Sequence, residues 1–255
     1  MTWNPVIYNQ FKSERAAPFF DLLSLVQPVE NMKVIDLGCG TGELTLHIAD
    51  KLQDADITGI DSSAEMLSVR ANPGNSRFTF TVRTIEEQLT MPEKWDLIFS
   101  NAAMQWVDDH ETLFPKLVRS LNAGGQLAIQ MPAQHHNQTN ILLNELAEEE
   151  PFKEGLKNFK RNSSVLDIDR YAAVLFDNGA GTITAFEKIY PLIVPDVEAL
   201  FTWVSGTALV PYMEKLDEEQ GKEFILAYKT KLAAHFKNRP LFYPFKRILL
   251  HAVFK

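Results

Sequence analysis

The stretch Val34-Ile35-Asp36-Leu37-Gly38-Cys39-Gly40-Thr41-Gly42 decides the fold of this chain. An apolar run with one acid leads into three glycines at every second position, and a helical pattern begins directly afterwards. This order predicts a strand, a tight glycine turn and a helix. In open α/β sheets, nucleotides bind where such a strand delivers its carboxyl end into the turn. The rest of the chain is therefore expected to build the sheet around this turn or to cover it.

Around the turn, the sequence repeats a strand–helix pattern. Strands are predicted at 34–37, 57–60, 78–82, 95–100 and 126–131, with helical patterns between them. The run Asn122-Ala123-Gly124-Gly125 is interpreted as a helix stop and turn before the fifth strand. These alternations predict an α/β fold with a doubly wound, mostly parallel sheet.

The pattern changes after the fifth strand. Long strands are predicted at 183–193 and 242–254, with helices at 196–204 and 217–236 between them. A late strand pair forms most easily as an antiparallel edge, which gives a seven-stranded sheet whose last strand is antiparallel. We expect residues 1–255 to form one domain with a binding core at about 30–135. A helical cap is expected from about 1–17, 133–166 and 196–236.

The composition limits the partners and the compartment. The 255 residues carry a net charge of −8, which argues against a nucleic-acid partner because such proteins need a basic face. No signal-peptide pattern and no run near the ~20 apolar residues of a membrane span occurs in the sequence. The single cysteine, Cys39, excludes an internal disulfide framework. We therefore expect a cytoplasmic protein, monomeric or weakly dimeric, without a membrane partner.

Two carboxylates give the glycine turn its chemistry. The turn reads GxGxG rather than GxGxxG, since Glu43 occupies the next position. Asp36, just before the turn, disfavours a pyrophosphate but suits an ammonium group. Asp61 ends the second strand, where an acid can accept both hydroxyls of a ribose. The predicted ligand is a nucleoside with a cationic, amino-acid-like arm, and a nicotinamide oxidoreductase is disfavoured.

A set of motifs resembles the class I S-adenosylmethionine-dependent methyltransferases. The motifs are VIDLGCGTG (34–42), ITGIDSSAEML (57–67), WDLIFSNAAMQWV (95–107) and GGQLAIQMP (124–132). The resemblance covers roughly residues 30–135 and implies S-adenosyl-L-methionine as the cofactor. The cofactor-binding residues that it implies, together with the neighbours of the turn, are Asp36, Gly38, Cys39, Gly40, Gly42, Asp61, Ser62, Met66, Thr84, Ile85 and Asn101.

Within that class, the chain resembles the trans-aconitate methyltransferase family. The shared stretches are WNPVIYNQF (3–11), SNAAMQW (100–106), DDHETLFP (108–115) and TWVSGTALVPY (202–212). This resemblance implies transfer of a methyl group to a carboxylate of a small organic acid. The chain departs from the family at Thr84, where an acid is usual, and at Val210, where a basic residue is usual. Lys246 or Arg247 is a candidate to replace that basic residue.

The acceptor site is expected to combine cations with aromatic and amide side chains. The candidates are Tyr8, Arg15, Gln105, Trp106, Trp203, Tyr212, Lys246 and Arg247. Arginine suits the role because it can hold a carboxylate with two parallel hydrogen bonds. For Arg15 a solvated position, and for Trp106 a packing role, remain open as alternatives.

The sequence offers no acid–base machinery. It contains no Ser-His-Asp pattern and no histidine cluster with metal-ligand spacing. Adjacent His135 and His136 would point apart on regular structure, so they are interpreted as a loop pair without a metal role. A carboxylate acceptor with a pKa near ~4 is already ionised at neutral pH and needs no base. Orientation and removal of water would then suffice, without a metal. An N- or C-methyltransferase and a non-catalytic cofactor-binding protein remain as alternatives.

Overall fold

The computed structural model describes residues 12–69, 76–206 and 208–255, with side chains from Ala16 onward. Its first half contains α1 (Lys12–Leu25), β1 (Lys33–Leu37), α2 (Thr45–Lys51), β2 (Asp56–Asp61), α3 (Ala64–Ser68), β3 (Phe78–Val82), α4 (Ile85–Gln88), β4 (Trp95–Asn101), α5 (His110–Arg119) and β5 (Leu121–Pro132). Its second half contains α6 (Gln138–Ala147), α7 (Phe152–Gly155), α8 (Ile168–Asp177), β6 (Ala180–Val194), α9 (Val197–Ser205), α10 (Val210–Met213), α11 (Glu218–His235) and β7 (Leu241–Phe254). Short 3₁₀ helices lie at Met104–Trp106 and Gln134–His136.

The strands of the described chain form one seven-stranded sheet with the order β3-β2-β1-β4-β5-β7-β6. The pairs from β3 to β5 are parallel, whereas β7 runs antiparallel to β5. The predicted fold class is confirmed, including the antiparallel last strand. The strand order reverses between β1 and β4, and open α/β sheets bind ligands at such a switch point. The glycine turn follows β1 and therefore lies there.

The central strand is buried because its sequence is apolar on both faces. Val34, Ile35 and Leu37 are at most 1% exposed. Ile48 of α2 is fully buried as well, since the helix that follows the turn packs its apolar stripe into the core. The first predicted strand and the helix after it are confirmed within two residues at each end.

The start of the fifth strand differs from the prediction. β5 begins at Leu121, so the run 122–125 belongs to the strand instead of forming a separate turn. The pairing with β4 shifts register between Trp95 and Leu97, and Gly124 has a φ of +78°. An irregular strand of this kind accommodates glycine pairs that otherwise indicate a turn.

The chain divides into two compact units. One unit contains Ala16–Pro132, Ser164–Lys188 and Arg247–Lys255, and it holds the parallel strands and the glycine turn. The other contains Ala133–Ser163 and Ile189–Lys246. The assignment of segments to a cap stays a prediction. Among the described residues, no helix has the length and apolarity needed to cross a membrane.

The second unit has its own aromatic core. α11 buries Phe224, Tyr228 and Leu232 along one face, as expected from their helical spacing. Asp217 caps this helix by accepting a hydrogen bond from the backbone N–H of Gln220 at 2.8 Å. The predicted helix 217–236 is therefore confirmed, with its first and last positions serving as caps.

We predict that Gly59→Ala destabilises the sheet unit by about 1–3 kcal/mol, the usual cost of overpacking. An added Cβ would lie 2.7 Å from ring atoms of Phe80 and 3.0 Å from Cys39 Sγ. Gly206→Ala is the control, because no atom of the described residues lies within 4 Å of its added Cβ. Urea unfolding measures both variants, and equal stability of Gly59→Ala and the parent would contradict the packing described.

Candidate functional site

The glycine turn has a backbone that only glycine adopts easily. Gly38, Gly40 and Gly42 have φ values of +77°, +58° and +70°. A Cβ on Gly38 would lie 2.1 Å from the Cβ of Ala103, so the turn packs directly against the segment after β4. The N–H groups of Gly38 and Cys39 donate to the carbonyl of Ile60, which ties the turn to β2.

Asp61 organises the end of β2. Its Oδ2 accepts from the N–H of Gly40 at 2.9 Å, and its Oδ1 accepts from the N–H of Ser63 at 2.8 Å. A carboxylate oxygen offers about two acceptor positions, so both oxygens retain capacity for ligand hydroxyls. The Ser63 hydroxyl caps α3 by accepting from the N–H of Met66 at 3.1 Å. Of Ser62 and Ser63, the second is therefore the helix cap.

Asp36 is a buried carboxylate beside the turn. The hydroxyl of Thr45 donates to its Oδ2 at 2.6 Å. Burial raises the pKa of Asp36 from 3.8 to about 7, the Thr45 hydrogen bond opposes the rise, and the charge of Asp61 adds to it. Because a bound cation would stabilise the ionised form, this carboxylate suits a ligand that carries an ammonium group.

The segment after β4 is held in an uncommon conformation. Ala102 has a φ of +58°, and its N–H donates to the carbonyl of Gln130 at 2.8 Å. Gln105 Nε2 donates to the carbonyl of Ala102 at 2.7 Å. The Oδ1 atom of Asn101 is buried without a hydrogen-bond partner among the described residues. Strained backbone and an unsatisfied buried acceptor are typical of ligand-binding positions.

A buried histidine supports this segment from behind. His110 Nε2 donates to the carbonyl of Met104 at 3.0 Å, and Nδ1 is hydrogen-bonded to the Tyr171 hydroxyl. Burial lowers the pKa of His110, so the ring is neutral and both nitrogens are engaged. Its role is to fix the backbone around Met104. Sequence reasoning missed it, since nothing in the run DDHETLFP marks which acid or base is buried.

The strand register brings polar side chains to one face of the sheet. Asp36 pairs with Phe99, Asn101 pairs with Gln130, and Pro132 pairs with Arg247. Since paired residues share a face and alternate residues return to it, Asp36, Asn101, Gln130 and Arg247 lie on one face near the carboxyl ends of the parallel strands. Gln130 was not predicted as a site residue. Its only signal is a polar side chain in an otherwise apolar strand end.

Arg247 and Lys246 differ in position. Arg247 is 5% exposed, and its Nη1 donates to Gln130 Oε1 at 3.0 Å. Lys246 is partly buried, and its backbone N–H and carbonyl are both hydrogen-bonded to the Asn137 side chain. Neighbouring residues of a strand face opposite sides. The structure therefore brings Arg247, and not Lys246, to the face that carries Asp36.

Trp203 and Tyr212, like Lys246, belong to the unit that contains Ile189–Lys246. Trp203 packs edge-on against Phe245, with ring centroids 5.8 Å apart. The Tyr212 hydroxyl donates a hydrogen bond to the side-chain oxygen of Asn144, and burial raises the pKa of Tyr212. Val210, at the departure from the family pattern, begins α10.

The remaining acceptor candidates have mixed positions. Tyr8 and the side chain of Arg15 fall outside the described residues. Trp106 is 44% exposed, whereas Gln105 beside it is buried. The acceptor role of these residues stays a prediction.

Two further predicted residues have structural partners. The Thr84 hydroxyl accepts from the N–H of Glu87 at 3.1 Å, and its own N–H donates to the Glu87 carboxylate at 2.9 Å. Thr84 thus caps α4, and Ile85, the first residue of that helix, is buried.

Burial raises the pKa of the Cys39 thiol, so this side chain stays neutral. The rings of His135 and His136 lie 4.0 Å apart, and both residues belong to the short 3₁₀ helix Gln134–His136 instead of a plain loop.

Comparison with known proteins identifies the family of this chain. The family described as "Methyltransferase domain" matches residues 28–181. Trans-aconitate 2-methyltransferase of Deinococcus radiodurans is 40% identical over 258 residues, covering 99% of this chain and 98% of that protein. The enzyme of the same name from Variovorax paradoxus is 34% identical, covering 91% of this chain and 89% of that protein.

A solved structure shows the same fold. Phosphoethanolamine N-methyltransferase 2 of Haemonchus contortus, in complex with phosphomonomethylethanolamine and S-adenosylhomocysteine, has a TM-score of 0.56 and 18% identity. The match covers 92% of this chain and 52% of that one, so the chain spans about half the length of that protein.

Fold and family match together define a class I S-adenosylmethionine-dependent methyltransferase. The residues present fit that cofactor, because a glycine cradle and two carboxylates, one of them buried beside a neutral hydroxyl, lie at the switch point. The chain belongs to the family of the trans-aconitate 2-methyltransferases and uses S-adenosyl-L-methionine.

We predict that S-adenosylhomocysteine binds about tenfold more weakly at pH 6 than at pH 8. With a pKa of about 7, Asp36 is mostly protonated at pH 6, and only its ionised form attracts the ligand's ammonium group. Affinity therefore rises with pH through 7. Calorimetric titration at several pH values measures this, with Asp36→Asn as a control that binds weakly and without the pH dependence. Equal affinity of the parent protein at pH 6 and pH 8 would contradict the role of Asp36.

Proposed function

We propose that the protein transfers a methyl group to a carboxylate oxygen of a small organic acid, with trans-aconitate as the first candidate. The names of the relatives in two bacteria support the choice of acid. The observation that carries the proposal is that Asp36, Asp61 and His110 are already hydrogen-bonded within the protein and that the Cys39 thiol is held neutral. An acceptor that arrives ionised needs none of them as a base.

Each of those groups has another task. Asp36 accepts a hydrogen bond from Thr45, and both carboxylate oxygens of Asp61 accept hydrogen bonds from backbone N–H groups. The Cys39 thiol is neutral. Both ring nitrogens of His110 are engaged. Neutral amine or carbon acceptors usually require proton removal during transfer. A carboxylate with a pKa near ~4 does not.

The geometry supports the proposed cofactor-binding roles. Asp36 would hold the ammonium group, the glycine turn would bind the amino-acid arm, and Asp61 would accept the ribose hydroxyls. The cofactor supplies an electrophilic methyl group on a positively charged sulfur. Met66 lies beside Gly40 of the turn, Thr84 caps α4, and Ile85 begins it. Ser62, Met66, Thr84 and Ile85 would contact the nucleoside part of the cofactor, and Asn101 would lie on the acceptor side.

Catalysis by this chain then consists of orientation and exclusion of water. The strained segment from Asn101 to Trp106 is fixed by hydrogen bonds from Gln105 and His110. A rigid wall of this kind aligns the acceptor oxygen, and good alignment is worth roughly 7–11 kcal/mol of activation free energy in favourable cases. Replacing water around the acid also raises the reactivity of its oxygen.

We predict that the purified protein forms methyl esters from trans-aconitate and methyl-labelled S-adenosylmethionine. The reason is that a carboxylate acceptor requires no base. Release of labelled methanol by alkali identifies the ester, since N- and C-methyl products are stable to it. A panel of mono-, di- and tricarboxylic acids sets the range of acceptors.

One control variant and the alkali stability of the product separate the alternatives. Gly38→Val leaves no room beside Ala103 and is expected to abolish both binding and transfer. Alkali-stable methylation of an amine, or cofactor binding without any alkali-labile product across the panel, would overturn the proposed reaction.

A further inference from the structure

Arg247 and Gln130 form a buried polar pair beyond the cofactor-binding turn. Arg247 is 5% exposed and Gln130 is fully buried, and Arg247 Nη1 donates to Gln130 Oε1 at 3.0 Å. This bond uses the carbonyl end of the amide. Gln130 Nε2, a donor of two hydrogens, is buried without a hydrogen-bond partner among the described residues.

Such a pair is adapted to an anion. A buried donor without an acceptor destabilises the folded protein, and a bound carboxylate would satisfy it. Arginine presents a planar fork of donors that matches a carboxylate, and the amide of Gln130 adds a donor beside it. A guanidinium taken out of water also gains most from a negatively charged ligand.

The register separates this pair from the glycine turn. The turn follows β1, Gln130 lies on β5, and β4 runs between them. At ~4.8 Å per strand, β5 is about 10 Å from β1. That distance far exceeds a hydrogen bond. A carboxylate bound at Gln130 is therefore different from the carboxylate that would accept the methyl group beside the turn.

We propose that Arg247 and Gln130 bind a second carboxylate of the acceptor, so that the enzyme selects acids with two or more carboxyl groups. This inference rests on the proposed function. It adds a specificity site that recognises the carboxylate left unmethylated. Position 210, where the resembling family has a basic residue and this chain has Val210, is then not required for that contact.

The test is the substitution Gln130→Glu. The new carboxylate has the shape of the amide and still accepts from Arg247, so the pair persists in the folded protein. It removes the Nε2 donor and places a negative charge where the second carboxylate binds. The expected result is a rise in KM of about 10- to 100-fold for di- and tricarboxylic acids, since bonds to charged groups are among the stronger ones. The KM for S-adenosylmethionine is expected to stay unchanged.

Gln88→Glu is the matched control. Gln88 is 5% exposed, and its Oε1 accepts from Arg83 Nη1 at 2.7 Å, so the same change is made beside another arginine. This variant should keep the parent's preference among acids. Gln130→Met, which lacks both amide groups, gives a second variant should the glutamate fail to fold. Calorimetric binding of S-adenosylhomocysteine verifies that each variant is folded.

The outcomes are distinct. Loss of the preference for dicarboxylic over monocarboxylic acids in Gln130→Glu, with the preference kept in Gln88→Glu, supports the subsite. An unchanged preference in both Gln130 variants, or an equal loss for all acids, overturns it while the proposed function stands. Failure of the parent protein to methylate any acid contradicts the proposed function instead.

Discussion

The buried carboxylate of Asp36 is the constraint on which the rest of the site depends. Asp36 lies near the end of the central strand and accepts a hydrogen bond from the hydroxyl of Thr45. Burial raises the pKa of Asp36 from 3.8 to about 7. Because of this shift, ionisation of Asp36 at high pH lowers the free energy of unfolding by roughly 4 kcal/mol. The sheet would form without a buried carboxylate at this position, so this destabilisation is not required for folding. A ligand with an ammonium group offsets it, and the glycine turn gives that ligand access to the backbone.

The same sheet face continues the site away from the cofactor. The register places Asn101, Gln130 and Arg247 on the face that carries Asp36, one strand after another. The row begins with a negative group, passes through neutral amides and ends with a positive one. Under the proposed function, a cationic donor would be attracted to one end of this row and an anionic acceptor to the other. His110 and Tyr171 act behind it by holding the backbone around Met104.

How much of this could be predicted follows from the distance between partners in the sequence. The turn, Asp36 and Asp61 lie within two neighbouring strand–helix units, so local patterns suffice for them and for the fold class. Gln130 and Arg247 are 117 positions apart, and His110 and Tyr171 are 61 apart, so their pairing depends on the tertiary register. Lys246 and Arg247 were equivalent by charge, and only the strand alternation separates them. The predicted start of β5 was wrong because glycine pairs occur both in turns and in bulged strands.

The most direct test of the account is a crystal structure of the protein with S-adenosylhomocysteine and trans-aconitate. We expect the ligand's amino group at Asp36, directly or through one water, and the ribose hydroxyls at Asp61. One carboxylate of the acid should lie at Gln130 and Arg247, and a different one should face the ligand's sulfur. An amino group away from Asp36, together with an acid bound elsewhere than on this sheet face, would contradict the account.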